Sequence, residues 1–199
     1  TANIPSMQES MKNGEVTTAF KSTTIADGIA VKTPGDVTFE IINELVDEVV
    51  VVEEDEIAQG MLFLMENQKV VAEGAGAVTT AALLSGKYVP KKDENVVCVI
   101  SGGNVDVNTL YRVIGTALTK EARRYSFNTV IQDKPGGLAE LTKIISEYDA
   151  NILSANLSRS SMGGALGSLT AEMVLETFNH DHIDKLKVAI TEAGFEIVE

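Results

Sequence analysis

The amino-acid sequence predicts an α/β chain built in two parts. Three observations carry that expectation. Between residues 36 and 118, helical stretches alternate with short apolar runs, the mark of an α/β sheet whose strands run mostly parallel. From residue 123 the apolar period shortens to two, and strand, helix, strand, strand, helix and strand follow as βαββαβ, a ferredoxin-like unit. Glu121-Ala122-Arg123-Arg124 lies at the change, so the parts are expected as 1–122 and 123–199.

In the first part, DVTFEIINELVDE places Phe39, Ile42, Leu45 and Val46 on one face of a helix. Val49 to Val52 reads as a short buried strand. EDEIAQGMLFLMENQ follows as a helix whose first turn carries acids, where they oppose the positive end of the helix dipole, so EVVVVEEDE reads as running into a solvated helix start. Residues 70–72 form the next strand, and an Ala-rich helix runs from about 76 to a stop at Gly86. KYVPKKDEN, 87–95, is a surface loop. Val96 to Ile100 has the β-branched look of a strand buried on both faces, and a helix follows from about 106.

In the second part, Tyr125, Phe127, Thr129 and Ile131 alternate with more polar neighbours, so one face of that strand is buried. DKPGG turns the chain, with Pro135 suited to the first turn of a helix. Leu138, Leu141, Ile145 and Tyr148 recur at helical spacing. A second strand starts at Asn151-Ile152. In a third, Leu169, Ala171, Met173 and Leu175 face one way and Thr170, Glu172 and Glu176 the other. SSMGGALGS, 160–168, is the loose loop between those two strands. Ile183, Leu186 and Ile190 mark a last helix, Gly194 ends it, and residues 195–198 make a short final strand.

With 199 residues and 44% hydrophobic content the chain is globular in composition. Its formal charge of −13 argues against nucleic acid and against docking on an anionic membrane, both of which call for surplus Lys and Arg. No apolar stretch is long enough to span a bilayer. The single cysteine, Cys98, lies in the apolar run and reads as a small buried hydrophobe. A reducing, cytoplasmic setting is the expectation. The chain opens at Thr1 with TANIPSMQES, which has the look of a cut edge.

Several segments are candidates for chemistry. TIADGIAV holds a turn at Asp27-Gly28. VVAEGAGAV puts Glu73 at a strand end before a helix start of small residues, a weak dinucleotide signal that close helix–strand packing explains equally well. Ser101-Gly102-Gly103-Asn104 turns the chain at the carboxyl end of a strand, where open α/β sheets bind ligands. His180 and His182 diverge on a helix, so a helix start capped by Asn179 or Asp181 accounts for NHDH better than a metal does. Lys21 in AFKST has polar loop on both sides and is rejected as a covalent lysine.

Read in order, TIADGIAV, TFEIINELVDEVVVV, EDEIA, VVAEGAGA, AALLSGK and VVCVISGGNVDVN resemble the second half of the catalytic domain of threonine dehydratases. These are threonine ammonia-lyases, pyridoxal-phosphate lyases of the tryptophan-synthase β-like fold (fold type II, three layers). DKPGGLAELTKIISEYDANI resembles an ACT domain, an amino-acid-binding regulatory module. The resemblance implies that Ser101 hydrogen-bonds the pyridine nitrogen of pyridoxal 5'-phosphate, that Gly102 and Gly103 shape the turn, and that Asn104 holds it. Gly28 and Glu73 are placed near the ring. It also implies dehydration and deamination of L-threonine, or L-serine, to a 2-oxo acid and ammonia. The family's lysine segment and glycine-rich phosphate loop have no counterpart here, so the chain alone is expected to be inactive.

ACT domains take amino acids at the turn after the first strand, usually across a dimer interface, so the resemblance implies a homo-oligomer. In this chain that turn is Asp133, Pro135, Gly136, Gly137 and Leu138, with Asn151 and Ile152 expected to face it. A helix start offers N–H groups to a carboxylate, and Asp133 offers a carboxylate to an ammonium. Asp133 as a simple helix cap is the alternative, as is a non-catalytic regulatory protein in which only the ACT half functions.

Overall fold

The computed structural model describes residues 1–20, 22–159 and 167–198, so Lys21 and most of the 160–168 loop lie outside the described residues. The chain divides into two compact units, Thr1–Ala117 and Leu118–Glu199. The division falls a few residues earlier than the sequence suggests, because the last turn of a helix belongs with the second unit.

Among the described residues of the first unit the helices are α1 (Ser6–Asn13), α2 (Asp36–Leu45), α3 (Glu54–Phe63, continued by a π-helical turn at Leu64–Gln68), α4 (Gly74–Leu84) and α5 (Val107–Lys120), with a 3₁₀ turn at Asp27–Ile29. α3 starts with a capping box. The Glu53 side chain takes the backbone N–H of Glu56, and the Glu56 carboxylate returns to the N–H of Glu53 at 2.7 Å. Ile57, Ala58, Met61 and Leu62 of α3 are buried against Ala75, Ala77 and Ala81 of α4. The two helices touch closely at Gly60, where a Cβ would sit 3.0 Å from the Ala77 carbonyl oxygen. Gly86, at φ +69°, ends α4 as the sequence suggests.

Two expectations for this unit are corrected. On α2 only Phe39 is fully buried, while Leu45 and Val46 are exposed alongside Val37 and Ile41. The runs 49–52, 70–72 and 96–100 form no hydrogen-bonded ladder among the described residues. A parallel strand exists only when paired with a neighbouring strand; here isolated links stand in place of a ladder, such as Ala2 N–H to the Val52 carbonyl (2.9 Å) and Glu73 N–H to the Gly102 carbonyl (3.0 Å). The 96–100 run is therefore not buried on both faces. Val97 is 85% and Val99 67% exposed, and Cys98 between them is a free, half-exposed thiol.

The second unit matches its predicted order. β1 (Arg124–Gln132), α6 (Gly137–Glu147), β2 (Asn151–Ser158), β3 (Ser168–Glu176), α7 (His180–Glu192) and β4 (Ile197–Val198) form a four-stranded sheet in the order β2-β3-β1-β4. All neighbouring pairs are antiparallel, with Phe127 opposite Met173, Ile131 opposite Leu169 and Leu157 opposite Ala171. The period-two residues of β1 and β3 point into one core with Leu141, Ile145, Ile183, Leu186 and Ile190. Pro135 falls before the helix instead of in its first turn, since Gly136, at φ +92°, precedes α6.

Two residues past the end of α5, Ala122 is buried at φ +55°. Its carbonyl accepts the Thr177 hydroxyl at 2.7 Å, which fastens the start of β1 to the end of β3. Asn179 caps α7 by accepting the His182 N–H at 2.9 Å, one of the two caps the sequence offered. The His182 ring accepts the Phe178 N–H at Nδ1 (3.1 Å) and lies 2.6 Å from the Tyr148 carbonyl at Nε2, so it joins the end of α6 to the start of α7. No helix among the described residues is long and apolar enough to cross a membrane.

Candidate functional site

In the first unit, the three segments singled out by sequence converge on Glu73. This residue precedes α4, and its backbone N–H donates to Gly102. Its Oε2 accepts the Asn104 N–H at 3.0 Å, while a Cβ on Gly28 would lie 3.6 Å from Oε1. One carboxylate thus bonds the Ser101–Asn104 turn and lies beside the Asp27-Gly28 turn.

Glycines make that convergence possible. A Cβ on Gly102 would press into the Glu73 carboxylate, and one on Gly103 would lie 2.8 Å from the Val71 carbonyl oxygen. A Cβ on Gly76, inside α4, would lie 2.8 Å from the Gly102 carbonyl oxygen. On Gly74 it would collide with the Ile25 carbonyl, which rests on the start of α4. Close backbone packing, the alternative to a dinucleotide motif, accounts for the glycines of EGAGA.

The 24–28 turn is held from a second side as well, because Glu54 Oε2 accepts the Ile25 N–H at 2.7 Å. Sequence reading missed Glu54, whose carboxylate it assigned to a solvated helix start. Asp106 was likewise not singled out. It caps α5 by accepting the Thr109 N–H at 2.9 Å, and the bonds from Thr109 hold its carboxyl below the usual carboxylate range. A cleft of about 500 Å³ opens beside this cluster, with Thr24, Asp27, Glu73, Asn104, Asp106 and Arg112 among its walls.

Ser101 itself is exposed, and its hydroxyl has no protein partner among the described residues. The hydroxyl is a neutral donor set on backbone that three glycines leave without side-chain cover. Such a donor suits an aromatic ring nitrogen that stays unprotonated. On these grounds the residues fit the pyridine edge of a pyridoxal cofactor.

Residues 1–102 match the family described as pyridoxal-phosphate dependent enzyme. The chain belongs to this family. An L-threonine ammonia-lyase of Thermotoga maritima is 44% identical over 197 residues, which cover 99% of this chain and 49% of that protein. The chain spans about half the length of that relative, and the same is true of an L-threonine ammonia-lyase of Geobacter sulfurreducens, 40% identical over 195 residues, 98% of this chain and 48% of that protein. Among solved structures, the processed form of threonine deaminase isoform 2 from Solanum lycopersicum has a TM-score of 0.52 at 31% identity, covering 58% of this chain and 32% of that one. The family's α/β fold is therefore the fold class of the first unit, as its alternating helices and apolar runs suggest, and the family's cofactor is pyridoxal phosphate.

The turn of the second unit is built differently from expectation. Asp133, Lys134, Pro135 and Leu138 border a hollow of about 370 Å³ that Leu157, Arg159 and Leu169 complete. Gly137 lies so close beneath the end of β1 that a Cβ would collide with the Gln132 carbonyl, and Gly136 supplies the left-handed turn that leads into α6. Asn151 and Ile152 do not face this turn within the chain. Both β1 and β2 run antiparallel to β3, so they point the same way, and the start of β2 lies at the opposite end of the sheet from Asp133. Asn151 instead donates to Glu176 at 3.3 Å. The partner sequence reading missed is Arg159, which directly follows β2. Its guanidinium donates to both Asp133 oxygens, from Nε at 2.7 Å and from Nη2 at 2.9 Å. That fork holds the Asp133 carboxyl below its ordinary range.

Proposed function

We propose that this chain is the pyridine-side half of the catalytic domain of a threonine ammonia-lyase, followed by an amino-acid-responsive ACT domain. Identity of 44% to a protein of that name, running through both units, supports the reading. The structural observation that carries it is Ser101, an unshared hydroxyl at a turn braced by Glu73 and Asn104.

When bound, pyridoxal phosphate supplies an electron sink that eases loss of the substrate's Cα proton and β-hydroxyl. Ser101 would hold the ring nitrogen by donating its O–H, and a neutral donor there would keep the sink mild, which suits departure of a β-hydroxyl. Glu73 would steady the turn that carries Ser101, because its Oε2 accepts the Asn104 N–H. Gly28 leaves one side of Glu73 without side-chain cover. Net, L-threonine yields 2-oxobutanoate and ammonia, the water lost in elimination being regained in hydrolysis; L-serine yields the oxo acid one carbon shorter. The lysine and phosphate loop that complete such a site resemble nothing in this chain, so the activity belongs to an assembly that supplies both.

In the second unit, Asp133 and the start of α6 receive an amino-acid effector. Asn151 and Ile152 reach that turn only from a second copy, which ties effector binding to oligomer formation. The test uses the protein purified from its natural source. With pyridoxal phosphate and L-threonine it is expected to produce 2-oxobutanoate, and S101A lowers kcat by about tenfold or more while shifting the cofactor's absorbance. Wild-type kcat and spectrum in S101A would refute the role of Ser101; no 2-oxobutanoate from the wild type would refute the reading.

A further inference from the structure

We infer that Glu54 is a positioning residue for the cofactor cleft: its carboxylate fixes the turn at residues 25–28, so that Asp27 and Gly28 stay in place beside Glu73. This deepens the pyridoxal reading above and rests on it.

The turn has little to hold it from within. Asp27–Ile29 is one 3₁₀ turn, closed by the Ile29 N–H on the Ala26 carbonyl at 3.1 Å. A turn that short frays unless other elements grip it. Two grips meet on Ile25. Its N–H donates to Glu54 Oε2 at 2.7 Å, across 29 residues of chain. Its carbonyl rests so close to Gly74 that a Cβ there would collide. Ala26 follows, fully buried, and Asp27 then lines the cleft from that fixed point.

The gripping carboxylate is itself firmly mounted. Glu53 and Glu56 form the capping box of α3, and Lys87 bridges both, at 3.8 and 3.1 Å. Glu54 stands between them, is not needed for that cap, and reaches the turn instead. Behind it Ile57, Ala58 and Met61 are buried, and α3 meets α4 closely at Gly60. α4 begins at Glu73, whose carboxylate holds the Asn104 N–H. One helix pair thus carries both carboxylates, and its packing sets the distance between the two turns that border the cleft.

What Glu54 supplies is an acceptor. Oε2 takes the bond, while Oε1 is buried without a partner among the described residues. Glutamine has the same reach and keeps an oxygen for the Ile25 N–H. Alanine leaves that N–H without its acceptor. A charge that merely opposed the α3 dipole would be lost equally in both variants.

The test is hydrogen exchange, read by mass spectrometry on peptides of the complete protein with pyridoxal phosphate bound and after its removal, together with the cofactor's absorbance and retention. E54A should speed exchange of residues 24–29 about tenfold, leave the α3 and α4 amides at wild-type rates, shift the absorbance and weaken retention about tenfold. E54Q, which returns the acceptor, should restore each of these to within about twofold of the wild type. Unchanged exchange at 24–29 in E54A would overturn the inference. So would acceleration spread through α3 and α4, a cofactor that E54A leaves untouched, or an E54Q as impaired as E54A. A wild type that takes up no pyridoxal phosphate would refute the reading of the cleft itself, a distinguishable result because exchange at 24–29 still reports on Glu54.

Discussion

Gly76→Ala tests how the Ser101 turn is held. Gly76 lies in the first turn of α4, where alanine would ordinarily stabilise a helix by about 1 kcal/mol over glycine. The added Cβ, however, would lie 2.8 Å from the Gly102 carbonyl oxygen and 3.1 Å from the Gly102 nitrogen. Both are backbone atoms, and the carbonyl is already engaged by the Glu73 N–H, so the turn cannot retreat without breaking that bond. Overpacking of this kind costs about 1–3 kcal/mol, so a net loss of about 1 kcal/mol is expected. Hydrogen exchange at the α4 amides reads that loss locally and keeps the second unit out of the measurement. Wild-type or slower exchange in G76A would show that the turn does not rest on α4, and the glycine argument for the Ser101 site would fall with it.

Two other expectations concern the second unit. Thr129 is buried in β1 between Ala171 and Ile197, and its hydroxyl has no partner, so T129V should stabilise the unit by about 1 kcal/mol in urea unfolding; a loss of stability would mean the hydroxyl is satisfied. The Asp133 carboxyl is depressed by the Arg159 hydrogen bonds, so the pair's contribution is present above the ordinary carboxylate pKa and disappears as pH falls through the depressed value. In a carbon-detected NMR titration R159Q should move the Asp133 midpoint upward, and an unchanged midpoint would refute the pairing in solution.

What was legible in the sequence follows the distance over which each element is decided. β1 and β3 announce themselves because Phe127, Ile131, Leu169 and Met173 sit on a strict two-residue period, and antiparallel strands with one covered face need only that. The turns at Gly28, Glu73 and Ser101 were each visible as local punctuation. Their convergence on one carboxylate was not, since Glu73 and Asn104 are joined by a bond across 31 residues. The runs at 49–52 and 96–100 look like strands on composition, yet composition does not supply the neighbour that a parallel strand must pair with. Arg159 was overlooked for a related reason. Strand direction, which puts the residue after β2 beside the residue after β1, carries the signal, while the residues flanking Asp133 in sequence do not.

The uncovered valines at 96–99 also bear on how the protein behaves at high concentration. Val96-Val97-Cys98-Val99-Ile100 is uncharged, β-prone and free of proline, and its backbone is not committed to a ladder, which is the profile of a segment that templates intermolecular sheets. The flanks work against that outcome. Lys91, Lys92, Asp93 and Glu94 stand immediately upstream as charged gatekeepers, and Ser101-Gly102-Gly103 breaks the segment downstream. The overall charge of −13 adds colloidal repulsion that salt will screen. Turbidity should therefore rise with ionic strength, and lysine in place of Val97, the most exposed of the four valines of 70–71 and 97–99, should suppress it.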